Sequence, residues 1–283
     1  MIEALTRTAR HWPLVMDTVL AGRATVRRAR SVLNARLDLL HERRRIESFR
    51  DLHRGDRCFV IGNGPSLRGL DLCPLAREKT FVVNHFYFHP QLADLRPSYY
   101  CVSDLSFFDP KVHPRWREYL ERLPGSTTLF LPIELKRRVR ASPIGARRNV
   151  YYVRCDRSCE IWRTGWMEVN ASSVLATGDT VILDFCLPLA HFMGFAEVVL
   201  LGCDTDMGNG ESAAHFYEPQ LPSRSAAYHR DVWSGHVMRS YDVAARLFES
   251  TGRRIYNATA GGRLEVFPRI SLEEALGWRP HEP

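Results

Sequence analysis

The sequence predicts an α/β fold: a single domain on a mainly parallel sheet, preceded by an N-terminal helical arm. Two observations carry this. Short runs rich in apolar residues recur at 58–61, 80–84, 99–104, 127–132, 149–154, 194–204 and 254–259. Most are apolar on consecutive residues, as strands buried on both faces are. Several of them end on Gly, Asn, Ser or Asp, the residues that turn a chain at the carboxyl end of a strand. The length of 283 residues allows one large domain with an appendage.

The first run breaks into Gly62-Asn63-Gly64-Pro65-Ser66. Without a Cβ, Gly62 and Gly64 let backbone N–H groups approach a phosphate or ribose, and the Asn63 amide both donates and accepts. Pro65 and Ser66 suit the first turn of a following helix. The second and third runs end on Asn84 and on Ser103-Asp104. Three strands therefore deliver Asn63, Asn84 and Ser103 or Asp104 to one rim, where open α/β sheets bind ligands. His85-Phe86-Tyr87-Phe88 walls a pocket there or covers the sheet edge.

Further on, Lys136-Arg137-Arg138-Val139-Arg140 reads as a solvated helix face. Thr177-Gly178-Asp179-Thr180 opens a long apolar helix over 181–193, with Thr177 or Asp179 as its N-cap and its start as a second anion site. The run at 194–204 ends in Gly202-Cys203-Asp204, which brings Asp204 to the same rim. Asp204 and Asp206 form an Asp-x-Asp pair that either holds magnesium or manganese against a diphosphate or leaves Asp204 to accept a ribose hydroxyl. Residues 208–232 read as a lid loop. His236 stands at the entry of a helix over 237–250, and an imidazole there can take a proton at neutral pH. His215 and His229 are the other histidines near this rim.

Composition narrows the class. Hydrophobic residues make up 45% and charged residues 25%, and no apolar run approaches the ~20 residues that span a bilayer. With no signal-peptide pattern at the start, the expected location is cytoplasmic, peripheral to the inner membrane if the arm binds it. Seven cysteines are an odd number, mostly inside apolar runs, and read as reduced. Only Cys155 and Cys159 lie close together, without a second ligand pair, so no zinc site is expected. Residues 1–57 hold thirteen arginines against seven acids, which places six of the chain's seven net positive charges in its first fifth. That asymmetry indicates a charged appendage rather than a nucleic-acid groove. Val26, Leu33, Leu37 and Leu40 fall at helical spacing among these arginines. Residues 1–56 thus read as a basic amphipathic arm that contacts an anionic membrane, a partner or a second copy, or packs as a solvated helix. Residues 57–283 form the domain.

Taken in order, the motifs 60–67, Asn84-His85-Phe86-Tyr87-Phe88, Thr177-Gly178, Leu201-Gly202-Cys203-Asp204 and Ser234-Gly235-His236 resemble bacterial sialyltransferases of glycosyltransferase family 42. With Asn257-Ala258-Thr259-Ala260-Gly261-Gly262 they also resemble proteins similar to 6-hydroxymethylpterin diphosphokinase. The resemblance covers about 57–276. It implies a Rossmann-like, GT-A-like domain, a CMP-activated nonulosonic acid as donor, an inverting displacement and no required metal. By matching positions, Asn63, Gly64, Asn84, Ser103, Thr177, Gly178 and Gly202 line the nucleotide site, and His236 deprotonates the acceptor hydroxyl. Ser103 stands where the family has asparagine, Val174 where it has arginine, and Asp206 and Trp233 where it has tyrosines.

Three functions follow as expectations. The first is a glycosyltransferase extending a bacterial surface glycan or lipid-linked acceptor, with Gly62 and Asp204 added to the nucleotide site. The second is a magnesium-dependent pyrophosphokinase using Asp204 and Asp206. The third is a non-catalytic nucleotide-binding scaffold.

Overall fold

The computed structural model describes residues 39–147, 149–205, 215–217 and 233–277. Asp206, His229 and most of the arm and of the 208–232 loop lie outside these residues. The chain divides into two compact units, 1–44 and 45–283; in the first, residues 39–44 are helical.

In the second unit the strands are β1 (Arg57–Ile61), β2 (Thr80–Val83), β3 (Tyr99–Cys101), β4 (Thr128–Pro132), β5 (Val150–Glu160), β6 (Val174–Thr177), β7 (Glu197–Leu201) and β8 (Arg254–Asn257). They form one sheet in the order β6-β5-β4-β3-β2-β1-β7-β8. Each named pair is parallel. The chain walks outward from β1 to β6, then returns to lay β7 on the other side of β1. The direction of winding therefore reverses between β1 and β7, and the crevice beyond their carboxyl ends is where such sheets take ligands.

The alternation of each strand sorts the core into two layers. Cys58 and Val60 of β1, Phe81 and Val83 of β2, and Val198 and Leu200 of β7 face one layer, with Leu183, Phe185, Tyr241 and Phe248 from the covering helices. Phe59, Ile61, Val82, Val199 and Leu201 face the other, against Leu67, Leu92, Trp116 and Leu120. Burial on both faces is why these strands read as unbroken apolar runs.

Two local expectations change. The turn after β1 is a single 3-10 turn, Pro65–Leu67, rather than the first turn of a continuing helix. Thr177 ends β6, and the segment expected as one helix from 181 is a π turn, Ile182–Cys186, followed by α-helix Leu187–Phe192. Thr180 takes the capping role, its Oγ1 accepting from the Leu183 N–H at 3.3 Å. The sheet claims Thr177 because β5 runs on to Glu160 and pairs with it there. At the C-terminus Ser271 caps helix Leu272–Gly277 in a reciprocal box: Ser271 Oγ accepts from Glu274 N–H at 3.0 Å, and the Glu274 carboxylate accepts from Ser271 N–H at 2.6 Å. All seven cysteines are free thiols. Among the described residues no helix is long and apolar enough to cross a membrane.

Candidate active site

At the reversal point the loops after β1 and β7 lock together. Gly62 N–H donates to Leu201 O and Gly64 N–H to Gly202 O, both at 2.8 Å. A Cβ on Gly62 would stand 2.4 Å from Gly202 O, and one on Gly64 would stand 1.7 Å from Asp204 Oδ2. These glycines are needed because a neighbouring loop fills the space a side chain would occupy. Gly202 has φ +62, and a Cβ there would meet Leu67 at 2.7 Å. Asp204 is buried, and its carboxylate accepts from Ser66 N–H at 3.1 Å and from Ser66 Oγ at 2.7 Å. Both oxygens of Asp204 thus serve the fold of the β1 turn. Among the described residues no cluster of three or more His, Cys, Asp or Glu could hold a metal.

Immediately beside this lock lie polar atoms with no protein partner. Asn63 Oδ1, Asn84 Oδ1 and Thr205 Oγ1 are buried and unbonded. Ile61 pairs with Val82 in register, so Asn63 and Asn84 sit level with each other, two residues past that pair. Thr205 follows β7 on the other flank of β1. The orientation of Asn63 is set, since its Nδ2 donates to Val83 O at 3.1 Å and a carbonyl can only accept. Asn84 and Thr205 both have positive φ, 45° and 51°. Leaving a buried acceptor unpaired costs about 1–3 kcal/mol; a ligand bringing hydroxyl or amino donors to these atoms recovers that cost. Thr205 was not singled out in the sequence, where only its place after Asp204 marks it.

A second set stands at the other end of the rim. Ser103, Thr177 and Gly178 converge on Asp184, a fully buried carboxylate inside the apolar π turn. Its Oδ1 accepts from Thr177 Oγ1 at 3.0 Å and Gly178 N–H at 2.8 Å, and the carboxylate also accepts from the Ser103 hydroxyl. Burial raises the Asp184 pKa, and these three donors and Arg157 oppose the rise. Arg157 also donates to Ser103 O. Ser103 follows β3 and Thr177 ends β6, with β4 and β5 between them in the sheet; Asp184 bridges that gap. The Gly178 N–H is spent on this bridge. A lone acid in an apolar helix was the available signal for Asp184.

His236 lies in the turn Trp233–Val237 ahead of α-helix Met238–Ser250. Its ring stacks on Trp162, and Asp179 faces its Nδ1. Burial raises the Asp179 pKa, as does Glu160, while His236 and Arg157 lower it. The indole Nε1–H of Trp162 is buried without a partner. His215 and Tyr217 pack elsewhere, with His85, Phe88 and His113 beyond β2.

No protein-family model matches the chain, and no curated protein matches it. Solved structures similar to it include the sialyltransferase CstII from Campylobacter jejuni in complex with a substrate analogue, cytidine-5'-monophosphate. That likeness has 14% identity, covers 77% of this chain and 86% of the other, and has a TM-score of 0.45. A second is the sialyltransferase CST-II in complex with trisaccharide acceptor and CMP, at 11% identity, 76% and 86% coverage and a TM-score of 0.43.

Proposed function

We propose that this chain is a sialyltransferase-like, inverting glycosyltransferase that uses a CMP-activated nonulosonic acid as donor. The observation that carries the reading is the row of unpartnered acceptors Asn63 Oδ1, Asn84 Oδ1 and Thr205 Oγ1, just past the carboxyl ends of three adjacent strands at the winding reversal. A nucleoside supplies the donors such a row lacks: two ribose hydroxyls and, on cytosine, an amino group. The motif order from Gly62 to His236 supports the same reading.

In the reaction, His236 accepts the proton of the acceptor hydroxyl as that oxygen forms its bond to the anomeric carbon. The bond from that carbon to the phosphate oxygen breaks, and its electron pair leaves with CMP. No metal is required in this scheme, and Asp204 gives the alternative little support because Ser66 already occupies its carboxylate. The acceptor is a bacterial surface glycan, and the basic residues 1–56 hold the enzyme at the cytoplasmic face of the membrane.

The test is thermal-shift binding of the full chain to CMP, CDP, UDP, GDP and ATP, each with magnesium and with EDTA. Stabilisation by CMP that survives EDTA is expected and leads to transfer assays with CMP-linked donors. Binding confined to ATP or a diphosphate with magnesium would overturn the reading in favour of a pyrophosphokinase.

A further inference from the structure

Three separate elements meet at His236. Trp162 comes from helix Ile161–Thr164 after β5, Asp179 from the loop after β6, and His236 from the turn Trp233–Val237. The imidazole lies flat on the indole, with ring centroids 3.9 Å apart and planes 5° from parallel. Across the edge of the ring, Nδ1 is 4.0 Å from Asp179 Oδ2. Asp179 reaches this position with φ +64, a backbone region few residues other than glycine adopt. Glu160, near Asp179, is itself held by Arg163 at 2.9 Å.

We propose that Asp179 is the positioning residue of His236: Trp162 confines the imidazole to one plane, and the Asp179 carboxylate holds the proton on Nδ1, leaving Nε2 bare for the acceptor hydroxyl. The inference deepens the transferase reading and rests on it. A neutral imidazole carries one proton, and a ring with that proton on Nε2 cannot act as a base there. A carboxylate facing Nδ1 selects the useful tautomer and stabilises the imidazolium formed when the hydroxyl proton arrives. At 4.0 Å the contact is an ion-pair distance rather than a hydrogen bond, so it strengthens when the ring becomes charged. The ionisable groups acting on Asp179, besides His236 itself, are Glu160 and Arg157. Because burial and Glu160 raise the Asp179 pKa, the arrangement requires a pH above that raised value.

Tautomers are read by nitrogen NMR of histidine-labelled full-length protein at alkaline pH, with the His236 signals assigned by their loss in His236→Gln. The wild type is expected to show Nδ1–H. Asp179→Asn keeps the shape and tolerates positive φ, but its amide can donate to Nδ1, so the signal should move to Nε2–H. An unchanged tautomer in a folded Asp179→Asn protein overturns the proposal. With a donor that is turned over, Asp179→Asn should lower kcat about 10²-fold with donor KM within about two-fold, and Asp179→Glu should recover part of it. Unchanged kcat also overturns it. A tautomer switch in a protein that transfers from no nucleotide donor would sustain the Asp179–His236 pair and reject the transferase reading instead.

Discussion

Asp204 grips Ser66 with both carboxylate oxygens, one on the backbone N–H at 3.1 Å and one on the hydroxyl at 2.7 Å. This joins the loops of β7 and β1 across the winding reversal. Asp204→Ala leaves two donors without their acceptor and should lower stability by about 2–4 kcal/mol, read as the urea midpoint. A midpoint equal to wild type would mean that the two loops do not depend on this contact.

Gly64→Ala forces a methyl group to 1.7 Å from the Asp204 carboxylate. The loops must separate, at a cost of about 1–3 kcal/mol or more. Gly125→Ala is the control, because nothing lies within 4 Å of its Cβ position; its melting temperature should stay near wild type while that of Gly64→Ala falls.

Asp184 sits in the core with its pKa raised by burial. The folded state therefore binds this proton more tightly than the unfolded chain. Stability from this group is full below the ordinary carboxylate value near 3.8 and is lost as pH rises through the folded pKa. Asp184→Asn keeps an oxygen for Thr177 and Gly178 and removes the titration. Its stability relative to wild type should be greater at pH 7 than at pH 4, measured by urea denaturation; a constant difference would contradict this.

His85 and His191 titrate in the opposite sense. Burial, with His113 and His215 close by, pushes His85 down to about 4; burial and Arg253 push His191 to about 4. The unfolded chain takes up these protons near 6.5, so stability should fall as pH drops from about 6.5 to about 4 and then level off with respect to these groups. His85→Leu should flatten part of that slope in the pH dependence of the urea midpoint.

Asn63→Ala and Asn84→Ala each remove an unpartnered buried acceptor. Loss of one ligand hydrogen bond should weaken CMP binding about ten-fold, measured by calorimetry in EDTA. Wild-type affinity in both variants would place the nucleotide elsewhere.

The sheet was legible where strands are buried on both faces. The apolar runs at β1, β2, β3, β4, β7 and β8 announced themselves. The polar far half of β5 and the short β6 did not. β6 lies at the edge of the sheet, and the residues of β5 from Arg154 onward pair only with it, so their exposed side chains carry no apolar signature. The rim positions of Asn63, Asn84 and Ser103 followed from their places at strand ends. That Thr205 shares the row with Asn63 and Asn84 did not, because strand order is a long-range property.

Local chemistry in the sequence determined the strands, their carboxyl-end polar residues and the loop glycines, since burial and turn geometry act on neighbouring residues. Only the tertiary structure decided what those residues are used for. Gly64 and Asp204 are 140 residues apart in number, and whether the glycine faces a phosphate or a neighbouring carboxylate depends on β7 returning beside β1. The same holds for Asp184 beneath Ser103 and Thr177, and for Asp179 and Trp162 around His236: packing brings together groups whose spacing along the chain carries no trace of the contact.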